Sequence, residues 1–312
     1  MTQKYEYSEI NATRPKTYGQ KSYFAYKCRI ANFAELTDIA MKRIFALIIA
    51  LAAISNIATG QKKDIHVFAH RGCWSKNAQN EFIIPENSVA AVAEAKKKGY
   101  EGIECDVRYP KDGIMVILHD ETLNRTTRNA GDYSKLEKPV RLADLTFEEL
   151  RRDYILESED PDLRTPVPTL EELLAECKKQ KIVPMLHSSV WESYEMAQKM
   201  FGDEWICFTE GVEYLHKVRA FSKCTILLSI HERTAEQNIA DLKSIGGRCG
   251  ISSMNYRMYS PEFCKALTDA GFHVQASIFP FEHEKSAINS GITFLLTDRV
   301  LPARNWKKIR TR

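Results

Sequence analysis

Residues 102–119 read GIECDVRYPKDGIMVILH, two extended apolar-leaning runs separated by Lys111-Asp112-Gly113. An Asp-Gly pair between two such runs is a turn signal for an antiparallel hairpin. A parallel crossover needs roughly a dozen or more residues and usually a helix, whereas only thirteen positions separate Asp106 from His119. Residues 115–118 therefore read as the returning arm of a hairpin, not as an independent parallel strand. Strand candidates elsewhere are 66–69, 102–107, 182–186, 205–208, 225–230, 250–254, 273–278 and 293–296. With the hairpin arm set aside these are eight, nearly all separated by amphipathic helical stretches. Asn87-Ser88 can cap a helix over 89–98 that stops at Gly99. Thr169-Leu170-Glu171-Glu172 is a capping box opening a helix to about Lys179. Further helices are expected near 192–201, 211–221, 234–245, 260–270 and 282–290.

Eight β/α units within residues 61–312 fit a (β/α)8 TIM barrel with a small β-hairpin insertion after the second strand. The competing architecture, an open doubly wound sheet, lacks a Gly-rich phosphate turn after its first strand.

The first sixty residues read differently. Met41-Lys42-Arg43 precedes the apolar run 44–54, and Ala58-Thr59-Gly60 supplies a small-residue ending. This basic start, short apolar core and small-residue close predict a secretory signal peptide over 41–60. The run falls short of the roughly 20 residues that span a bilayer, so the expectation is cleavage, export and no stable membrane anchor. Residues 1–40 read as an upstream extension from a misassigned start, leaving 61–312 as a single mature domain.

Residues 1–60 hold eight of the 44 basic and four of the 41 acidic residues, which leaves 36 and 37 beyond them. That balance offers no electrostatic case for nucleic acid or anionic membranes. Seven cysteines lie beyond residue 60, scattered and without a C-x-x-C pair, so neither a disulfide framework nor a zinc site is indicated.

Barrels of this class keep their active sites at the C-terminal strand ends, and polar groups recur there. The first strand ends in His70-Arg71. The second carries Glu104 and Asp106 two apart, which puts both carboxylates on one face and Cys105 on the other. The hairpin returns with His119-Asp120, and a further strand ends in His187-Ser188-Ser189. Carboxylate oxygens suit Mg²⁺ and Ca²⁺, arginine grips phosphate oxygens bidentately, and two histidines can share acid and base duties near neutral pH. Together these residues predict phosphodiester chemistry on a small-molecule substrate.

In that order, His70-Arg71-Gly72, Pro85-Glu86-Asn87-Ser88, Gly102-Ile103-Glu104-Cys105-Asp106-Val107, Leu118-His119-Asp120 and Arg125-Thr126-Thr127 resemble the glycerophosphodiester phosphodiesterases. Val167-Pro168-Thr169-Leu170-Glu171-Glu172 and Leu296-Thr297-Asp298-Arg299 extend the resemblance across about 66–300. It implies a (β/α)8 barrel in which His70 and His119 are acid and base and Arg71 holds phosphate. Glu104 and Asp106 would ligate a divalent metal, Mg²⁺ or Ca²⁺, while Glu86 supports the site or starts the first helix.

The chain also departs from the family pattern. Where the family has a strand reading E-x-K, with a third acidic metal ligand and a phosphate-binding lysine, this sequence has His187 and Ser189. His187 can still offer an imidazole nitrogen, but hard cations prefer carboxylates, so Mg²⁺ or Ca²⁺ should bind more weakly and Zn²⁺ becomes tolerable. A Trp-containing strand of the family is replaced by Val274-Gln275-Ala276-Ser277-Ile278-Phe279. The leading expectation is an exported, metal-dependent phosphodiesterase yielding glycerol phosphate and an alcohol. A phospholipase-like enzyme acting on lipid headgroups and a non-catalytic phosphoester-binding protein on the same scaffold are the alternatives.

Overall fold

The computed structural model describes residues 65–277, 280–299, 301–302 and 304–305. The expected signal peptide and upstream extension, and Ile278 and Phe279 of the altered strand, lie outside the described residues.

Eight parallel strands close on themselves. They are β1 (His66–Ala69), β2 (Gly102–Arg108), β3 (Val183–His187), β4 (Ile206–Thr209), β5 (Thr225–Ser229), β6 (Cys249–Ser253), β7 (His273–Ser277) and β8 (Phe294–Thr297). Closure is made at β1, where Phe68 is in register with Gly102 of β2 on one side and with Leu296 of β8 on the other. The barrel is the architecture expected from the strand count, and the open sheet is excluded.

Helices α1 (Val89–Lys97), α2 (Leu170–Gln180), α3 (Trp191–Phe201), α4 (Val212–Phe221), α5 (Ala235–Ile245), α6 (Pro261–Asp269) and α7 (Phe281–Ser290) alternate with the strands. Their starts follow from local chemistry. The Ser88 hydroxyl accepts the Ala91 N–H to open α1, and reciprocal capping boxes at Thr169/Glu172 and Thr234/Gln237 open α2 and α5. Each satisfies backbone donors that the first turn leaves unpaired.

Strand alternation sorts the core into two layers. Outward residues such as Val67, Ile103, Cys105, Leu186 and Ile251 pack against helix residues such as Val92, Leu174 and Leu215. Inward residues Phe68, Met185, Ile206, Phe208, Leu227, Phe294 and Leu296 fill the barrel itself. All seven cysteines among the described residues are buried, and burial pushes the Cys73 thiol up to about 12. No helix among the described residues is long and apolar enough to cross a membrane.

The hairpin is present: Val116–Ile117 runs antiparallel to the end of β2, pairing Ile117 with Val107 and Val116 with Arg108. The insertion it begins is larger than a hairpin. It continues through a second antiparallel pair, Thr127–Asn129 with Tyr154–Leu156, and a helix Phe147–Asp153 before α2 starts. Val116, Leu118, Leu123, Leu142, Leu150, Leu156 and Val167 give it a small core of its own. A second short pair, Ser75–Lys76 with Phe82–Ile84, lies between β1 and α1 and contacts the insertion where Glu159 N–H donates to the Phe82 carbonyl at 2.8 Å. These strands of two or three residues are too short to present a period.

Gly102 is where β2 crosses the barrel interior beside Phe68. A Cβ there would stand 1.9 Å from Phe68 Cε1 and 2.5 Å from the Val183 carbonyl oxygen. Backbone cannot yield as a side-chain tip can, so Gly102→Ala should lower unfolding free energy by about 2–3 kcal/mol, as overpacked cores do. Urea denaturation measures this, and a loss below about 0.5 kcal/mol, the scale of a neutral surface change, would show that the β1–β2 seam relaxes freely.

Candidate active site

The polar strand ends gather at one mouth of the barrel, around a cavity of about 190 Å³. His70, Arg71, Glu104, Asp106, His119 and His187 line one side of it, delivered by β1, β2, the hairpin and β3. Phe208, Ser229, Ser252 and Ser277 line the opposite side, with Glu210, His231 and Met254 at its rim.

Glu104 and Asp106 are almost fully buried, at 1% and 6% exposure. Burial, then the neighbouring Asp106, pushes Glu104 well above the usual carboxylate range. Burial acts on Asp106 too, but there the His187 hydrogen bond and the charges of Arg71 and His119 outweigh it and hold the carboxyl at about 2. Two adjacent carboxylates in a dry site cannot both ionise without cationic help. The help comes from three segments. Arg71 Nε lies 3.5 Å from Asp106 Oδ2, Asn87 Nδ2 donates to the same oxygen at 3.1 Å, and His187 Nδ1 stands 3.3 Å from Asp106 Oδ1.

Arg71 and Asn87 occupy left-handed backbone, with φ of 56° and 52°. For residues other than glycine this conformation is costly and marks a constrained site. The turn at Arg71 points its own N–H at Glu104 Oε2, 3.1 Å away, while the Asn87 N–H donates to the Arg71 carbonyl at 2.8 Å. Gly72 follows at φ 75°, where a Cβ would stand 2.6 Å from that of Ala91 on α1. The chain turns there because only glycine fits beneath the helix.

Each histidine of the expected acid–base pair is held by an aspartate through Nδ1. His70 Nδ1 lies 2.5 Å from Asp298 Oδ1, and His119 Nδ1 lies 2.7 Å from Asp120 Oδ1. An Nδ1–H donated to carboxylate fixes the ring and leaves Nε2 as the working nitrogen. Asp298 belongs to the Leu296-Thr297-Asp298-Arg299 stretch, in which spacing alone marks no partner for His70. Its signal was its place: it is the first residue after β8, the strand that closure lays against β1, where Ala69 is in register with Thr297.

Glu86 is buried at 2% exposure and accepts from two guanidinium groups, Arg71 and Arg125. Two positions on, Ser88 caps α1, so the segment does start the first helix. Ser189 lies off the cavity and is exposed, lining a separate groove with Arg108 and Arg141.

The residues present fit a divalent cation. Glu104, Asp106 and His187 each offer a ligand atom, all within 4.8 Å of one another. Glu104 Oε1 is a buried acceptor with no hydrogen-bond partner, an unmet need that a cation fills. Arg71 Nε is the opposite case, a buried donor without a hydrogen-bond acceptor. His187 stacks on Phe208 with ring centroids 4.7 Å apart, which fixes the imidazole plane.

A sequence model of the glycerophosphoryl diester phosphodiesterase family matches residues 70–275. Glycerophosphodiester phosphodiesterase 1 of Mus musculus is 29% identical over 193 residues, covering 57% of this chain and 53% of the mouse protein. The chain thus spans about half the length of that relative. Among solved structures, a glycerophosphodiester phosphodiesterase from Parabacteroides distasonis superposes with a TM-score of 0.58 at 20% identity, covering 80% of this chain and 99% of that one. A phosphodiesterase from Oleispira antarctica, solved with the product sn-glycerol-3-phosphate, gives 0.57 at 20% identity over 80% and 96%. At such identities these two show the shared barrel.

If His187 faces the cation, His187→Glu should tighten Ca²⁺ or Mg²⁺ binding by about 10-fold, because ligand charge sets affinity for hard ions. Calorimetric titration of the wild-type and variant proteins measures this; an unchanged Kd would place His187 away from the ion.

Proposed function

The chain belongs to the glycerophosphoryl diester phosphodiesterase family, and on that premise we propose that it hydrolyses glycerophosphodiesters to glycerol phosphate and an alcohol. The observation that carries the reading is a pair of features in one cavity-lining set: a buried acceptor without a hydrogen-bond partner at Glu104 Oε1, and the Arg71 guanidinium beside it. A phosphodiester bound beside a divalent cation engages both. The product seen in the Oleispira antarctica phosphodiesterase is the one expected here.

Arg71, which lines the cavity, receives a phosphoryl oxygen on its guanidinium, and its charge offsets the negative charge that grows as the diester is attacked. Of His70 and His119, one takes a proton from the attacking oxygen through Nε2 and the other delivers a proton to the departing alkoxide. Asp298 and Asp120 hold the two rings and favour the imidazolium each forms in turn. Glu104, Asp106 and His187 would hold the metal. When bound, Mg²⁺ or Ca²⁺ supplies Lewis-acid polarisation of the phosphoryl group. Export belongs to the same proposal and rests on the basic start, apolar run and small-residue close at 41–60.

Turnover of a glycerophosphodiester panel, with EDTA and with added Mg²⁺, Ca²⁺ or Zn²⁺, tests the proposal. His70→Ala and His119→Ala should each lower kcat by about 10²–10⁴-fold, the usual worth of a general acid or base. Wild-type protein showing no metal-dependent turnover above these variants would sink the enzymatic reading. Retained glycerol phosphate binding would then favour the phosphoester-binding alternative, which draws support from the missing acidic ligand and lysine at His187 and Ser189.

A further inference from the structure

Arg125, in the Arg125-Thr126-Thr127 stretch of the insertion, has no part in the proposed chemistry, yet its guanidinium faces two carboxylates at once. Nη1 and Nη2 donate to Glu86 Oε2 and Oε1, both at 2.7 Å. Nε and Nη2 donate to Asp120 Oδ2 and Oδ1 at 2.7 and 3.0 Å. Four donor contacts from three nitrogens leave little with which to grip a substrate, so any effect of Arg125 passes through the carboxylates it holds.

Those two carboxylates lead to different working groups. Glu86 Oε1 also accepts from Arg71 Nη1 at 3.1 Å, so one oxygen serves both guanidinium groups. Asp120 Oδ1 also holds His119 Nδ1 at 2.7 Å. The result is a continuous chain of contacts, Arg71–Glu86–Arg125–Asp120–His119, running from the phosphate grip to a proton-transfer group. Its middle member stands on a fastened turn. Thr127 N–H and Thr127 Oγ1 donate to the Leu123 carbonyl at 3.0 and 2.8 Å, and Glu157 N–H donates to the Thr126 carbonyl at 2.9 Å.

We infer that Arg125 is a positioning residue that couples substrate grip at Arg71 to proton transfer at His119. This deepens the phosphodiesterase reading and rests on it. The geometry also gives a reason for arginine there. A planar guanidinium presents two edges and can meet two carboxylates bidentately, whereas a lysine ammonium keeps the charge but has no fork to share between them. If Arg125 only neutralised charge, lysine would serve as well.

The deciding experiment compares Arg125→Lys and Asp120→Asn with the wild type in the metal-supplied protein. Steady-state kinetics is run beside calorimetric binding of sn-glycerol 3-phosphate, and thermal melts certify folding. Arg125→Lys should lower kcat/KM by about 10-fold to 100-fold, the usual cost of losing a partner that orients a site residue. The loss should be divided between a lower kcat and a higher KM, with weaker glycerol phosphate binding. Asp120→Asn should lower kcat while leaving KM and glycerol phosphate affinity near wild type, since it cuts only the His119 arm. The double variant should lose no more kcat than the worse single one, because both break the same arm.

Wild-type kinetics in Arg125→Lys, or kcat losses that multiply in the double variant, would overturn the inference. So would an unchanged kcat in Asp120→Asn, which answers the His119 half even if Arg125→Lys fails to fold. Absence of turnover in the wild type would instead overturn the phosphodiesterase reading. The Arg71 half would then be decided by binding: weaker glycerol phosphate binding in Arg125→Lys supports it, and unchanged affinity overturns it.

Discussion

Two carboxylates side by side on one buried strand set the terms for everything around them. Glu104 and Asp106 share a face of β2 because strand side chains alternate, and that face points into the barrel mouth, where little water reaches it. Charges so placed repel each other and resist desolvation, so the surroundings must bring positive charge and donors to within a few ångströms. The left-handed turn at Arg71 serves this need: it aims a backbone N–H at Glu104 and brings the guanidinium beside Asp106. Asn87, also left-handed, adds an amide to Asp106, and Gly72 lets α1 press close behind the turn. The strain of two left-handed residues is held by the same hydrogen bonds that satisfy the carboxylates.

Barrel closure supplies the precision. His70 and Asp298 are 228 positions apart in sequence, yet each is the first residue after a strand, and β1 and β8 are neighbours in register. No loop has to find this geometry, because the sheet fixes it. The same holds on the other flank, where Asp106 and His187 are in register across β2 and β3. Side chains placed by sheet register move only if strands slide, which would cost the whole interior layer around Phe68, Met185 and Leu296.

This division explains what the sequence could reveal. Barrel strands are apolar runs with helices between them, so their positions were legible to within a residue or two, and so was the antiparallel return at 116–117. Polar residues at strand ends stand out against such runs, which made His70, Arg71, Glu104, Asp106, His119 and His187 readable as a set. The insertion was not legible beyond its first arm, because strands such as Thr127–Asn129 are three residues long and carry no alternation. Asp298 and Arg125 were visible only as parts of motifs. Asp298 takes its meaning from closure, which is a long-range fact, and Arg125 from a fork geometry that no spacing encodes.

The departures at His187 and Ser189 can be weighed together. Relative to the pattern the family resemblance implies, imidazole in place of a carboxylate removes one negative charge from the ion side. Serine in place of lysine removes one positive charge from the phosphate side. The sum is unchanged, while each local attraction is weaker. A cation there would be held by two carboxylates and an imidazole, and would keep more of its charge unneutralised than one held by three carboxylates. On the proposed reading, more of the phosphate grip would then rest on Arg71, which lines the same cavity. Phe208 makes the imidazole a defined substitute by stacking on it, so the ring that replaces a carboxylate is held in place.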